Sequence, residues 1–167
     1  MGDRPFDAAP EKNPNSLSSY RALGMIYESQ QKYDQAKEHY QKALKINPKF
    51  HPAANNLAYL HAEKGENLDE DLSLAQSAKE QVQDDPHISD TLGWVYYKKN
   101  IYSRAVTHLQ EAIEELPNNA VVHYHLGMAF SKSGDKAMAK KELKRALQLN
   151  PKFSGAEEAK TALQGLN

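Results

Sequence analysis

Histidine and carboxylate side chains are the groups in this chain that could carry acid–base or metal chemistry, and their spacing favours neither. Seven histidines are scattered over 167 residues. The tightest pair, His123 and His125, puts its rings about 200° apart around a helix, too far round to grip one metal ion. The sequence holds no His-Glu-x-x-His, no Gly-x-Gly-x-x-Gly, no phosphate loop with Gly-Lys-Ser/Thr and no Gly-x-Ser-x-Gly. With no cysteine, disulfides, thiolate nucleophiles and Cys-based metal sites are excluded together. The carboxylates fall on helix faces predicted to be solvated, where paired acid–base work lacks the burial that would tune it. The chain therefore reads as a non-enzyme, with no catalytic residue, no metal site and no cofactor.

The regular spacing in this chain is architectural. Gly24, Ala58, Gly93 and Gly127 are separated by 34, 35 and 34 residues, each preceded by leucine (Leu23, Leu57, Leu92, Leu126). Three residues later stand Tyr27, His61, Tyr96 and Phe130. A second small position reads Ala36, Ala105 and Ala139, a third reads Ala43, Ala78, Ala112 and Ala146, and Pro48, Pro117 and Pro151 close three of the units. Leu-Gly-x-x-Tyr keeps its i, i+4 apolar spacing straight through the glycine, so the glycine belongs inside a helix rather than in a loop. Glycine there costs about 1 kcal/mol relative to alanine. Close approach of a partner helix, with a bulky side chain entering over the small residue, offsets that cost.

A period of this length marks a helical solenoid, and over residues 17–153 the chain resembles the tetratricopeptide repeat (TPR) family, in a bacterial-type form. The resemblance implies an all-α, right-handed superhelix of four helix-turn-helix units, 17–50, 51–85, 86–119 and 120–153. First helices are predicted over 17–30, 52–64, 87–99 and 120–132, and second helices over 33–46, 68–82, 102–116 and 136–149. Breakers such as Gly65 and Gly134 separate the helices of a pair. Residues 154–167 form a capping helix, with Ala156, Ala159, Leu163 and Leu166 turned inward and Glu157, Glu158 and Lys160 turned to water. Residues 1–16 are polar and read either as a disordered segment or as the remnant of a preceding repeat, because Pro14 stands where Pro48, Pro117 and Pro151 stand.

The second unit departs from the pattern. It is one residue longer, it places Asp71 where the others have alanine, and it has Gln83 where they have proline. Its second helix is predicted to be slightly shifted or extended. The run from Glu63 to Asp85 is acidic, including Glu66, Asp69, Glu70, Asp71 and Glu80. The fourth unit is basic, with Lys132, Lys136, Lys140, Lys141, Lys144, Arg145 and Lys152 against Asp135 and Glu142. A solvated convex surface accounts for both runs, and complementary docking or self-association is the alternative.

Binding is the chemistry that remains. In a solenoid of this kind the stacked first helices line a concave surface. Its floor reads Arg21, Met25 and Glu28, then Asn55, Tyr59 and Ala62, then Asp90, Trp94 and Tyr97, then Tyr124, Met128 and Ser131. Asn56, Thr91, Lys98, His125 and Lys132 flank it. The candidate ligand residues are Arg21, Asn55, Asn56, Tyr59, Asp90, Trp94, Tyr97, Tyr124, His125 and Met128. Aromatic rings offer apolar area and amides offer hydrogen bonds to an extended peptide or an amphipathic helix. Trp94, the only tryptophan, is either the leading hot spot or a packing residue between adjacent first helices.

Some members of the family clamp a terminal carboxylate with Lys, Asn, Asn, Lys and Arg on three first helices. Here Arg21 and Asn56 match, while Met25, His87 and Thr91 replace the rest, so that ligand class is not expected. The expected partner is a peptide or protein segment bound by an adaptor or assembly factor. The alternatives are a self-associating scaffold, hence a homo-oligomer, or a non-catalytic part of a larger envelope or secretion assembly protein. A formal net charge of −1 gives no field for nucleic acid. No signal peptide and no apolar run of about 20 residues for membrane insertion are visible, and cytoplasm and periplasm remain open.

Overall fold

The computed structural model describes residues 16–166, and every regular element among them is a helix. In chain order these are α1 (Leu17–Ser29), α2 (Tyr33–Ile46), α3 (His51–Lys64), α4 (Leu68–Gln81), α5 (Pro86–Lys98), α6 (Tyr102–Glu115), α7 (Ala120–Ser133), α8 (Lys136–Leu149) and α9 (Ala156–Gly165). Each first helix packs on its second helix, and each second helix on the first helix of the next pair, giving an α-solenoid. The reading of residues 1–15 lies outside the described residues.

Local chemistry sets the helix ends. Ser16, Asp85 and Asn119 cap the starts of α1, α5 and α7, accepting from the N–H groups of Ser19, His87, and Val121 with Val122. Between the helices of each pair the chain turns through one or two left-handed residues: Gln31, then Gly65 and Asn67, then Asn100, then Gly134. The extra residue of the second unit is absorbed ahead of α4, which spans 14 residues like α2, α6 and α8. The expected shift or extension of α4 is thus not what happens. Two left-handed residues in one turn, one of them a glycine without a Cβ to clash, accommodate the insertion instead.

The glycines sit at helix crossings. A Cβ on Gly24 would lie 2.3 Å from the Tyr40 ring, one on Gly93 2.6 Å from Leu109, and one on Gly127 2.7 Å from Leu143. In the second unit the small and large partners become two alanines, Ala58 and Ala75, both fully buried.

Two carboxylates of the charge runs are not on the surface. Asp71 is fully buried and its Oδ1 lies 2.8 Å from Nδ1 of buried His61. Glu142 is buried too, with Oε2 2.6 Å from Nδ1 of His123, whose Nε2 faces the Pro117 carbonyl at 3.0 Å. Both stand on the inward faces of α4 and α8, so the solvated-surface reading is corrected for these two residues.

The apolar interior divides into two clusters. A small one joins Ala36, Tyr40, Ala43, Ala53, Leu57 and Leu60 of α2 and α3. A larger one runs from Ala58 on α3 to Leu166 beyond α9. The last helix buries Ala156 and Ala159 and leaves Glu157, Glu158 and Lys160 exposed.

Candidate functional site

The inner faces of α1, α3 and α5 bound a groove of about 980 Å³ that extends to Asn119 and Val121 at the start of α7 and to Ser154. Five of the ten residues singled out from sequence line it together: Arg21, Asn55, Asn56, Tyr59 and Asp90. Met25, Glu28, Thr91 and Glu63 join them.

A polar network anchors the first wall. The Tyr40 hydroxyl donates to Glu28 Oε2 at 2.8 Å, and Asn56 Nδ2 donates to the same hydroxyl at 3.4 Å. Burial raises the pKa of Glu28, the Tyr40 hydrogen bond opposing it only in part. Tyr40 is held phenolic first by burial and then by the Glu28 charge. Further along, burial pushes Tyr59 up, reinforced by the charges of Glu63, Asp90 and Glu28. The Arg21 Nε and the Asn55 Oδ1 are buried and have no hydrogen-bond partner among the described residues. Such groups leave solvation unreplaced, at a cost of about 1–3 kcal/mol each.

The other five candidates do not line the groove. Trp94 is 2 % exposed. Its indole stacks on Tyr97 at 4.6 Å and on His125 at 4.0 Å between ring centroids, and Nε1 donates to Glu63 Oε1 at 2.5 Å. The Lys98 ammonium lies 4.8 Å from its ring centre. Trp94 is therefore a packing residue between α5 and α7, and its reading as the leading hot spot is corrected: its ring is buried against Tyr97 and His125. His125 is buried beside it, with Nδ1 2.8 Å from Asp90 Oδ1. Tyr124 is covered by the segment leading into the cap. Its ring is 5.4 Å from that of Phe153, and a Cβ on Gly155 would meet it at 2.7 Å. Tyr97 and Met128 are half-buried against the same cluster. The segment leading into the cap thus covers Tyr124 and takes it out of the concave face.

Glu63 is a groove residue absent from the candidates read from sequence. It belongs to the thirteenth position of its unit, the row that supplies Lys98 and Lys132, and along the chain it falls within the acidic run. Among the described residues no group of three or more His, Cys, Asp or Glu side chains is placed to hold a metal ion. No helix among them is long and apolar enough to cross a membrane.

Comparison with known proteins places these features in a family. Profiles described as tetratricopeptide repeat match residues 18–50, 39–71 and 120–153, and one described as TPR repeat matches 93–134. Anaphase-promoting complex subunit 3 of Schizosaccharomyces pombe is 28 % identical over 146 residues, which is 86 % of this chain and 22 % of that protein. The chain thus spans about a fifth of the length of that curated relative. The structure of TTC0263, a thermophilic TPR protein of Thermus thermophilus, superposes with a TM-score of 0.74 at 22 % identity, covering 90 % of this chain and 81 % of that one. YrrB, described as a TPR protein with an unusual peptide-binding site, superposes with a TM-score of 0.67 at 20 % identity, covering 98 % and 82 %.

Proposed function

The chain belongs to the tetratricopeptide repeat family, a fold of protein–protein interaction modules, and from that premise we propose that it binds an extended protein segment in the groove across α1, α3 and α5, as an adaptor or assembly factor. The observation that carries this reading is the groove itself, about 980 Å³ and lined by amides, a tyrosine ring and charged groups. Buried Arg21 Nε and Asn55 Oδ1, lacking partners on the same walls, suit the main-chain and side-chain polar groups of such a segment. The peptide-binding site named for YrrB and the complex named for the yeast relative agree with a module of this kind. Catalysis has no place in it.

Panning a library of short random peptides against the protein tests the reading. Recovered peptides should bind with Kd in the micromolar range, about −8 kcal/mol. Asn55→Ala and Tyr59→Ala should each weaken them at least tenfold, about 1.4 kcal/mol, with the far-UV circular dichroism unchanged. Lys141→Glu, on the convex side and 70 % exposed, should leave affinity as it is. Equal losses from all three changes would contradict a groove site.

Self-association is a second reading, favoured by the burial of Glu142. Turned inward on His123, Glu142 reaches Lys141 alone among the exposed Lys136, Lys141, Lys144 and Arg145 of the outer face of α8, at 3.7 Å. Sedimentation in low and high salt separates the two, because a charge-driven oligomer dissociates as salt screens it.

A further inference from the structure

We propose that the groove selects a segment carrying a lysine or arginine side chain, which it seats over Tyr59 among Glu28, Glu63 and Asp90; this deepens the peptide-groove reading and rests on it. Four carboxylates line the groove, Glu28, Glu63, Asp85 and Asp90, against two permanent cations, Arg21 and Lys64. The Lys64 ammonium lies over the Tyr33 ring at 3.9 Å, and Arg21 stands at the α1 end of the groove. Asp85 accepts from the His87 N–H at the start of α5.

Glu28, Glu63 and Asp90 share the groove with Tyr59, and each also holds a partner of its own: Glu28 accepts from the Tyr40 hydroxyl, Glu63 from the Trp94 indole, and Asp90 lies 2.8 Å from His125 Nδ1. Burial first, then the charges of Glu63, Asp90 and Glu28, raises the pKa of the half-buried Tyr59. The Glu63 charge also adds to the burial that lifts Glu28. Two like charges held in a partly desolvated groove are relieved by a cation between them. A tyrosine face is in turn a favourable seat for an ammonium or guanidinium group. Asn55 Oδ1, a buried acceptor without a donor on the same wall, calls for an N–H or N⁺–H from the occupant as well. Glu63 is exposed enough to be reached while its Oε1 stays on the Trp94 indole.

The test uses the peptides recovered by panning in near-physiological salt and Glu→Gln variants of the full protein. Glu63→Gln and Glu28→Gln keep an acceptor for the Trp94 Nε1 and the Tyr40 hydroxyl, so each variant retains those hydrogen bonds. Recovered peptides that lose tenfold with Tyr59→Ala should share a Lys or Arg at one position. Replacing it by Gln should cost at least fivefold on the wild type and less than twofold on the Glu28→Gln/Glu63→Gln double variant. Groove-bound peptides that are neutral or acidic, or whose affinity ignores both Glu→Gln changes, would overturn the cation preference and leave the groove reading standing. If no recovered peptide responds to Asn55→Ala or Tyr59→Ala, both fall.

Discussion

At Gly24, Gly93 and Gly127 the absence of one carbon decides how closely two helices cross. Each glycine faces a large residue sixteen positions on, Tyr40, Leu109 or Leu143, and in the second unit Ala58 and Ala75, both fully buried, stand at these positions. Gly93→Ala should gain about 1 kcal/mol of helix propensity and lose about 1–3 kcal/mol by driving a Cβ into Leu109 and the Ala105 carbonyl. The net expectation is a midpoint about 2–4 °C lower in a thermal melt followed by circular dichroism. A higher midpoint would mean that Leu109 yields freely. This role was legible in the sequence, because a glycine inside an unbroken apolar period has few other reasons to be there. The position of Trp94 was not. Its inward register was plain, but whether its ring would be free depended on His125 from the next pair and Tyr97 beside it, and on Phe153 closing over Tyr124. Those contacts are long-range and leave no periodic trace.

Helices α3 and α4 replace an aromatic–alanine contact by a buried histidine–aspartate pair. In the third unit Tyr96 reaches Gln76 and Arg104 through its hydroxyl, above fully buried Ala105. In the second, His61 meets Asp71, and His61 Nε2 and Asp71 Oδ2 are left without partners. Burial raises the Asp71 pKa despite the histidine beside it. Removing one member strands the other, so Asp71→Ala should cost about 1–3 kcal/mol. The double change Asp71→Ala/His61→Tyr restores the chemistry of the third unit and should fall within about 1 kcal/mol of wild type or exceed it. Urea unfolding midpoints of the two variants check this. A double variant as weak as the single would show that the pair is irreplaceable. The sequence flagged Asp71 as a departure yet grouped it with surface charges, because a charge run read along the chain ignores which side of the helix each residue takes. Asp71 occupies the alanine register and therefore faces inward. Glu142 escaped notice for the same reason.

Over the whole molecule, burial is sparser in α1 than in the helices that follow. The cluster around Tyr40 is small, and α1 buries only Ser19 and Gly24 among its own residues, whereas α5 and α7 are buried along most of their length. A solenoid of nearest-neighbour contacts should fray from its weaker end. Amides of α1 and α2 should therefore exchange hydrogen faster than those of α5 to α8, and uniform protection would contradict that gradient. The repeat period made this architecture legible before any contact was known, since it records a unit that cannot bury its apolar face alone. The extent of the groove was less legible. Its floor positions follow the same period, but the segment from Phe153 to Gly155 covers Tyr124 and leaves the start of the fourth unit, at Val121, lining the groove, and no repeat rule describes a cap. The most direct test of the groove is residue-resolved amide chemical-shift mapping of the full protein with the tightest peptide recovered by panning. Shifts should concentrate on Arg21, Asn55, Asn56, Tyr59, Glu63 and Asp90 across α1, α3 and α5. Shifts confined to the outer face of α8 or to α9 would contradict a concave binding site.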